Sequence, residues 1–198
     1  MEGTRRTQTR ERILDAAYDL LGRMGVRKTT FEDIAARSGV SRQTLYRYFG
    51  SKEELIASVM DREAERFFVA LNEIAPDGAD LRDAIRNGIL FAFDYLANHP
   101  LLSWIYEHEP SELLPHLRGH WTPILDSVRR FIEPFVIREV EEGRLDEERA
   151  RIAGDWITRV TLSYLFVPGE TVDVRDEEAV RRWLPTLILD GLYGSGER

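Results

Sequence analysis

Apolar residues recur at spacings of three and four along most of the chain, and the runs are divided by glycine, proline and capping residues. Ile13, Ala16, Ala17, Leu20 and Leu21 predict a helix over 7–22, with Gly22 and Gly25 as its stop. Val26 lies in the link that follows and is expected to pack inward. Phe31, Ile34 and Ala35 mark one face of a short helix, with Thr30 as its cap and Asp33 three residues on in capping-box position. Gly39, after Ser38, can take the left-handed conformation that closes it. Ser41 caps a second short helix whose inward side chains are Leu45 and Phe49, four apart. Ser51 and Glu54 form a further capping box for a helix over 51–75 carrying Leu55, Ile56, Val59, Met60, Phe67, Phe68, Leu71 and Ile74. At about 1.5 Å per residue that helix is on the order of 35 Å long, enough to link two bodies. Pro76, Asp77 and Gly78 end it.

The remainder reads the same way. Asp80 caps a helix over 81–98 with Leu81, Ile85, Ile89, Phe93 and Leu96 on one face. Pro100 opens a short helix over 101–107 as a first-turn proline. A helical piece over 111–117 is interrupted by Pro115. Thr122 and Pro123 start a long helix to Glu142, in which Pro134 predicts a kink, and Gly143 stops it. Asp146 starts the next helix, with Ala150, Ala153, Ile157, Val160, Tyr164 and Leu165 inward, up to Pro168 and Gly169. After a loop over 170–174, Asp176 caps the last helix, which carries Val180, Trp183, Leu184, Leu187, Ile188 and Leu192. The tail from Gly194 is expected to be disordered. Thr171 to Val174 alternate, but the run is too short and isolated to found a sheet. The fold class is all-α.

Charge changes the picture of the first quarter. The 198-residue chain carries a formal charge of −8, which argues against a nucleic-acid partner. Yet residues 1–52 hold 11 Lys and Arg against 6 Asp and Glu, a net of +5, and the remainder has a net of −13. A basic head on an acidic body favours a polyanion at one end; chance asymmetry in an acidic protein is the bland alternative. The outward face of the second short helix, Arg42, Gln43, Thr44, Arg47 and Tyr48, consists of long donors, a hydroxyl and an aromatic ring, unlike a solvated Glu/Lys surface. Arg5, Arg6 and Arg10 form an arm that could follow a phosphate backbone or be a frayed terminus. Cysteine is absent, which excludes disulfides and thiolate metal sites. No apolar run is long enough to span a membrane and the N-terminus is not a signal sequence, so a cytoplasmic location is expected.

The pattern Ile34, Ala35, Gly39, Val40, Ser41, Thr44, Leu45, Tyr46, Arg47, Tyr48, Phe49, Ser51, Lys52, Glu53, Glu54 and Leu55 resembles the DNA-binding domain of the TetR-type (TetR/AcrR) transcriptional repressors. Arg12 to Ala17, Gly25, Val26, Thr29 and Thr30 match it too, and the resemblance covers residues 7–66. It implies a helix-turn-helix head over 7–67 and a helical ligand-binding and dimerisation body over 68–198. A helix-turn-helix sets its second helix in the major groove, where residues near the helix start reach base edges. Arg42 suits guanine and Gln43 adenine, each good pair supplying about 1–3 kcal/mol of discrimination. Position 43 is often small in the family, so Gln43 is a departure. The resemblance assigns phosphate contacts to Thr30, Thr44, Tyr48 and Lys52, and phosphate or base contacts to Tyr46 and Arg47, with Ser41 at the cap. Lys52 sits in a first helical turn, where the dipole disfavours a cation, which adds weight to a phosphate role.

The resemblance also implies a homodimer through 146–166 and 176–193, and the last helix carries more apolar surface than one buried stripe requires. A fully internal helix of a monomer is the other reading. Aromatic residues of the body, Phe91, Tyr95, Trp104, Tyr106, Trp121, Phe131 and Tyr164, are candidates for an apolar ligand pocket, although core packing accounts for most such clusters. Phe91, Phe93 and Tyr95 cannot all point inward on one helix. Asp94, His99, Glu107, His108 and Glu109 raise a cation site, below a solvated or helix-end role; His116 and His120 are four apart across a stretch with Pro115 and Gly119, a weak zinc pattern. No phosphate loop, nucleophile elbow or metalloprotease motif occurs, so neither an enzyme nor a cofactor is expected. The leading expectation is a ligand-responsive homodimeric repressor of a double-stranded DNA operator. The alternatives are a small-molecule-binding or enzymatic helical protein with a structural head, and a TetR-like activator or corepressor-dependent regulator.

Overall fold

The computed structural model describes residues 2–74, 79–109, 111–112, 119, 121–166 and 176–193. Among them the regular structure is entirely helical: α1 (Glu2–Lys28), α2 (Phe31–Ser38), α3 (Arg42–Phe49), α4 (Lys52–Glu73), α5 (Leu81–Asn98), α6 (Pro100–His108), α7 (Trp121–Glu141), α8 (Glu147–Phe166) and α9 (Glu177–Tyr193). The helical piece at 111–117, the His116/His120 pair, the 171–174 alternation and the tail fall largely or wholly outside the described residues. The chain forms two compact units. One comprises Met1–Arg66 with Ala97–Gly119, the other Phe67–Leu96 with His120–Arg198.

In the first unit α1 corrects the expected helix over 7–22. It begins at Glu2 and passes through Gly22. The break comes at Gly25, whose φ of 83° only glycine adopts readily. Ile13, Leu14, Ala17 and Leu21 bury fully, together with Ile34, Leu45, Leu55 and Val59 of the next three helices. The short α6 packs on α1. A Cβ on Gly25 would stand 2.1 Å from the Trp104 ring of α6, so the turn admits no larger residue. Glu109, which caps α6, is buried and accepts the Val26 amide N–H at 2.7 Å.

A second buried group ties α4 and α6 within this unit. Glu63 is 2% exposed and His99 7%. His99 caps α6, its Nδ1 accepting from the Leu102 amide at 3.1 Å, which leaves Nε2–H to donate to Glu63 Oε2 at 3.2 Å. Burial pushes the Glu63 carboxyl up, but His99, Arg66 and Arg62 outweigh it and hold the group below its ordinary value.

The second unit has one apolar core formed by Leu71, Leu81, Ile85, Ile89, Phe131, Ile132, Ala153, Ile157, Leu184 and Ile188, among others. Pro134 lies inside α7 and Pro185 inside α9, and each helix is continuous across its proline. Glu139, 3% exposed, is satisfied from two sides: Arg144 donates from Nη2 at 2.7 Å and Nε at 3.0 Å, and Tyr193 Oη at 2.8 Å. The Arg144 bonds foremost hold its carboxyl below the ordinary value; burial, then the Glu139 bond, raises the Tyr193 phenol.

Candidate functional site

Two short helices and their caps set the geometry of the first candidate site. Asp33 N–H donates to Thr30 Oγ1 at 3.2 Å, and Thr30 N–H donates back to Asp33 Oδ2 at 3.1 Å, a complete capping box at the start of α2. Gly39 ends α2 with φ 67°, and the Thr44 amide donates to Ser41 Oγ at 3.1 Å to start α3. Leu45 and Phe49 are buried, which turns Arg42, Gln43 and Arg47 outward and leaves Thr44 and Tyr48 half-buried.

Two concave surfaces take up most of the candidate residues, with Arg42 and Gln43 outside both. On one, Ser41, Thr44, Arg47 and Tyr48 of the α3 region face Arg5, Arg6, Thr9 and Arg12 of α1. Four guanidinium groups and several hydroxyls line it, with no carboxylate among the described residues, a composition suited to a phosphate backbone. On the other, Thr30, Tyr46 and Lys52 lie with Arg27, Ser51 and Glu53. Tyr46 is 44% exposed and rests on the Phe31 ring at 4.8 Å. Arg42 stands over its ring at 5.7 Å and pairs with Glu32 at 2.6 Å. The candidate guanine reader is therefore held by an exposed carboxylate in the free protein. Thr9 and Arg12 lie within the helix expected over 7–22, but Arg5 and Arg6 lie outside it, so spacing does not group the four. With the helix extended to Glu2, Arg5, Thr9 and Arg12 fall at i, i+4 and i+7 on one face.

The second unit holds an apolar cavity of about 100 Å³ among α4, α5, α7 and α8. Of the seven aromatic candidates only Phe131 lines it. Phe91 packs tilted and Tyr95 edge-on against Phe67, with ring centroids at 5.4 and 5.2 Å, and Tyr164 packs half-buried against the core. The Trp121 ring lies under Arg159 at 4.7 Å. Trp104 belongs to the first unit, where it stacks on His108 at 4.6 Å, and Tyr106 lies half-buried in the same helix. The cavity walls are aliphatic residues and phenylalanines, with Gly88, Thr158 and Thr161, whose significance no local spacing reveals. On α8 and α9 the large apolar side chains Ile152, Trp156, Trp183 and Leu187 are 39–47% exposed. Among the described residues no three His, Asp or Glu converge as metal ligands, and no helix is long and apolar enough to cross a membrane.

Comparison with known proteins agrees with this arrangement. Residues 13–59 match the family described as bacterial regulatory proteins, tetR family, and residues 80–181 match the bacterial tetracyclin repressor C-terminal domain. The HTH-type transcriptional repressor Rv3405c of Mycobacterium tuberculosis is 34% identical over 98 residues, 50% of this chain and 52% of that protein. The alignment thus spans about half the length of that relative. The repressor KstR2 of Rhodococcus jostii is 27% identical over 190 residues, covering 92% of this chain and 90% of that one. Among solved structures, Salmonella enterica GusR superposes with a TM-score of 0.65 at 20% identity, covering 94% and 95% of the two chains. The fatty acid degradation regulator FadR of Bacillus halodurans gives 0.63 at 20% identity, covering 96% and 97%.

Proposed function

The chain belongs to the TetR family of bacterial regulatory proteins, and on that premise we propose that it is a cytoplasmic, homodimeric transcriptional repressor, released from a palindromic DNA operator by a small, mainly apolar ligand. The observation that carries the DNA reading is the concave surface where Arg5, Arg6 and Arg12 of α1 meet Ser41, Thr44, Arg47 and Tyr48. In this reading Arg47 and the α1 arginines neutralise phosphates, and Thr44, Tyr48, Thr30 and Lys52 add contacts to the backbone. Arg42 exchanges Glu32 for a base edge, and Gln43, exposed beside it, reads the neighbouring base.

The exposed Ile152, Trp156, Trp183 and Leu187 support pairing of two copies through α8 and α9. Two-fold dimers read half-sites about one helical turn, or a multiple of it, apart. A ligand in the body can weaken DNA binding only as far as it prefers the non-binding state.

Selection of duplexes from a randomised library tests the reading, followed by titration of the enriched sequence against salt. An inverted repeat should emerge, with affinity falling steeply as salt rises. A pool without enrichment, or a flat salt dependence, would refute it. Sedimentation of Leu187→Glu should show a monomer where the parent protein is a dimer.

A further inference from the structure

The cavity among α4, α5, α7 and α8 contains one polar atom in an unusual state. A threonine hydroxyl on a helix ordinarily bonds back to the carbonyl four residues earlier. Thr158 does so, donating to Gly154 O at 2.6 Å, and Thr186 donates to Arg182 O at 3.3 Å. Thr161, on the same helix as Thr158 and also lining the cavity, does not. Its Oγ1 is shut off from solvent and finds no hydrogen-bond partner among the described residues. A buried hydroxyl left in this way is unfavourable unless something supplies the missing bond.

A second feature of the wall points the same way. Gly88 sits mid-helix in α5 and lines the cavity. Glycine there weakens a helix relative to alanine. A Cβ at this position would stand 3.3 Å from Phe131 Cε1 and 3.6 Å from Leu71 Cδ1, both groups of the cavity wall. The missing side chain therefore keeps space where Phe131 faces α5. Among the described residues no charged side chain lines the cavity, so a charged ligand group placed there would lose its hydration without compensation. Its volume of about 100 Å³ is below that of an engineered cavity of about 150 Å³ that accommodates benzene, so the occupant is compact.

We propose that the body ligand, or the part of it that enters this cavity, is a compact, uncharged apolar group carrying one hydroxyl or carbonyl oxygen, anchored by Thr161 and limited in size by the space at Gly88. This rests on the ligand-responsive reading and names the chemistry of its site. Thr161 can donate to either oxygen and can accept from a hydroxyl. The apolar wall supplies the remaining contact through dispersion and exclusion of water.

Cyclopentanol, cyclopentane and cyclopentanecarboxylate serve as probes, titrated into the full chain without DNA while the methyl NMR signals of Ile85, Leu162 and Leu165 are followed. Cyclopentanol should bind roughly fivefold more tightly than cyclopentane, the worth of about one neutral hydrogen bond, and the carboxylate should shift nothing. Thr161→Val should drop cyclopentanol below cyclopentane, since its hydroxyl would then be buried without a partner, and Thr161→Ser should restore the preference for the alcohol. Gly88→Ala should weaken both neutral probes together. Silent methyl signals, a carboxylate that binds like the alcohol, or a Thr161→Val protein indistinguishable from the parent would each overturn the proposal. Duplex binding measured on the same preparations separates the two readings. Loss of selective DNA binding with intact probe binding sinks the repressor and leaves the cavity. Selective DNA binding with silent methyls sinks the cavity alone.

Discussion

The α3 surface and the body cavity use the same side chains in opposite ways. At the α3 surface the hydroxyls of Thr30, Ser41 and Thr44 are tied by bonds three residues long, and the arginines stand outward. In the cavity the walls are apolar, drawn from four helices, and the Thr161 hydroxyl is untied. On the proposed reading, the contrast follows from what each recognises. A polyanion is met by charge on a surface whose shape is already fixed, so the caps hold α2 and α3 before DNA arrives. A compact apolar group is met by enclosure, and direction comes from a single bond kept in reserve.

The hardest test of that contrast is to remove the support of the α3 surface. Leu45 is fully buried, and Leu45→Ala should cost about 3 kcal/mol. Amide hydrogen exchange should show lost protection in α2 and α3 while α8 and α9 retain theirs; equal loss in both units would erase the distinction drawn here. Next in size are the outward groups. Arg42→Ala should remove about 1–3 kcal/mol of discrimination between selected and random duplexes. Lys52→Ala should weaken all duplexes alike and lower the salt slope by about one. If both variants lost selectivity equally, the division between base reading and phosphate contact would fail.

A third measurement asks whether the polar groups within the body serve stability. Glu139→Gln should cost about 1–2 kcal/mol at neutral pH, since it weakens bonds made to a charged group. The folded Glu139 carboxyl lies below its ordinary value of 4.5, so its stabilisation is present above pH 4.5. It is lost as pH falls through the lowered folded value. Urea unfolding of parent and variant should therefore converge in acid, and a pH-independent gap would contradict the assignment. The smallest effect belongs to a cap: Thr30→Ala should cost about 1 kcal/mol, read as faster exchange in the first turn of α2.

Much of the α3 surface was legible because its causes are short-range. Thr30 with Asp33, Gly39, and Ser41 with Thr44 each act across a few residues, so spacing alone names the geometry. The pairing of Arg42 with Glu32 was not legible, because it depends on how α2 and α3 cross. The first turns of α1 carry polar residues and no apolar stripe, so spacing does not reveal where the helix starts. In the body, residue type misled where position decides. Trp104 and Tyr106 look like pocket residues by chemistry, yet their helix packs on α1. Gly88, Thr161 and Leu71 become one wall only after three helices meet, and nothing within a helical turn of any of them records the others.

The packing of α6 on α1 bears on how such a protein can be recombined. A head taken from residues 1–66 and transplanted onto a foreign body would leave behind Trp104, which fills the space over Gly25, and Glu109, which holds the Val26 amide. The inherited module is thus discontinuous in the gene, and a functional chimera must carry residues 97–112 along with the first 66.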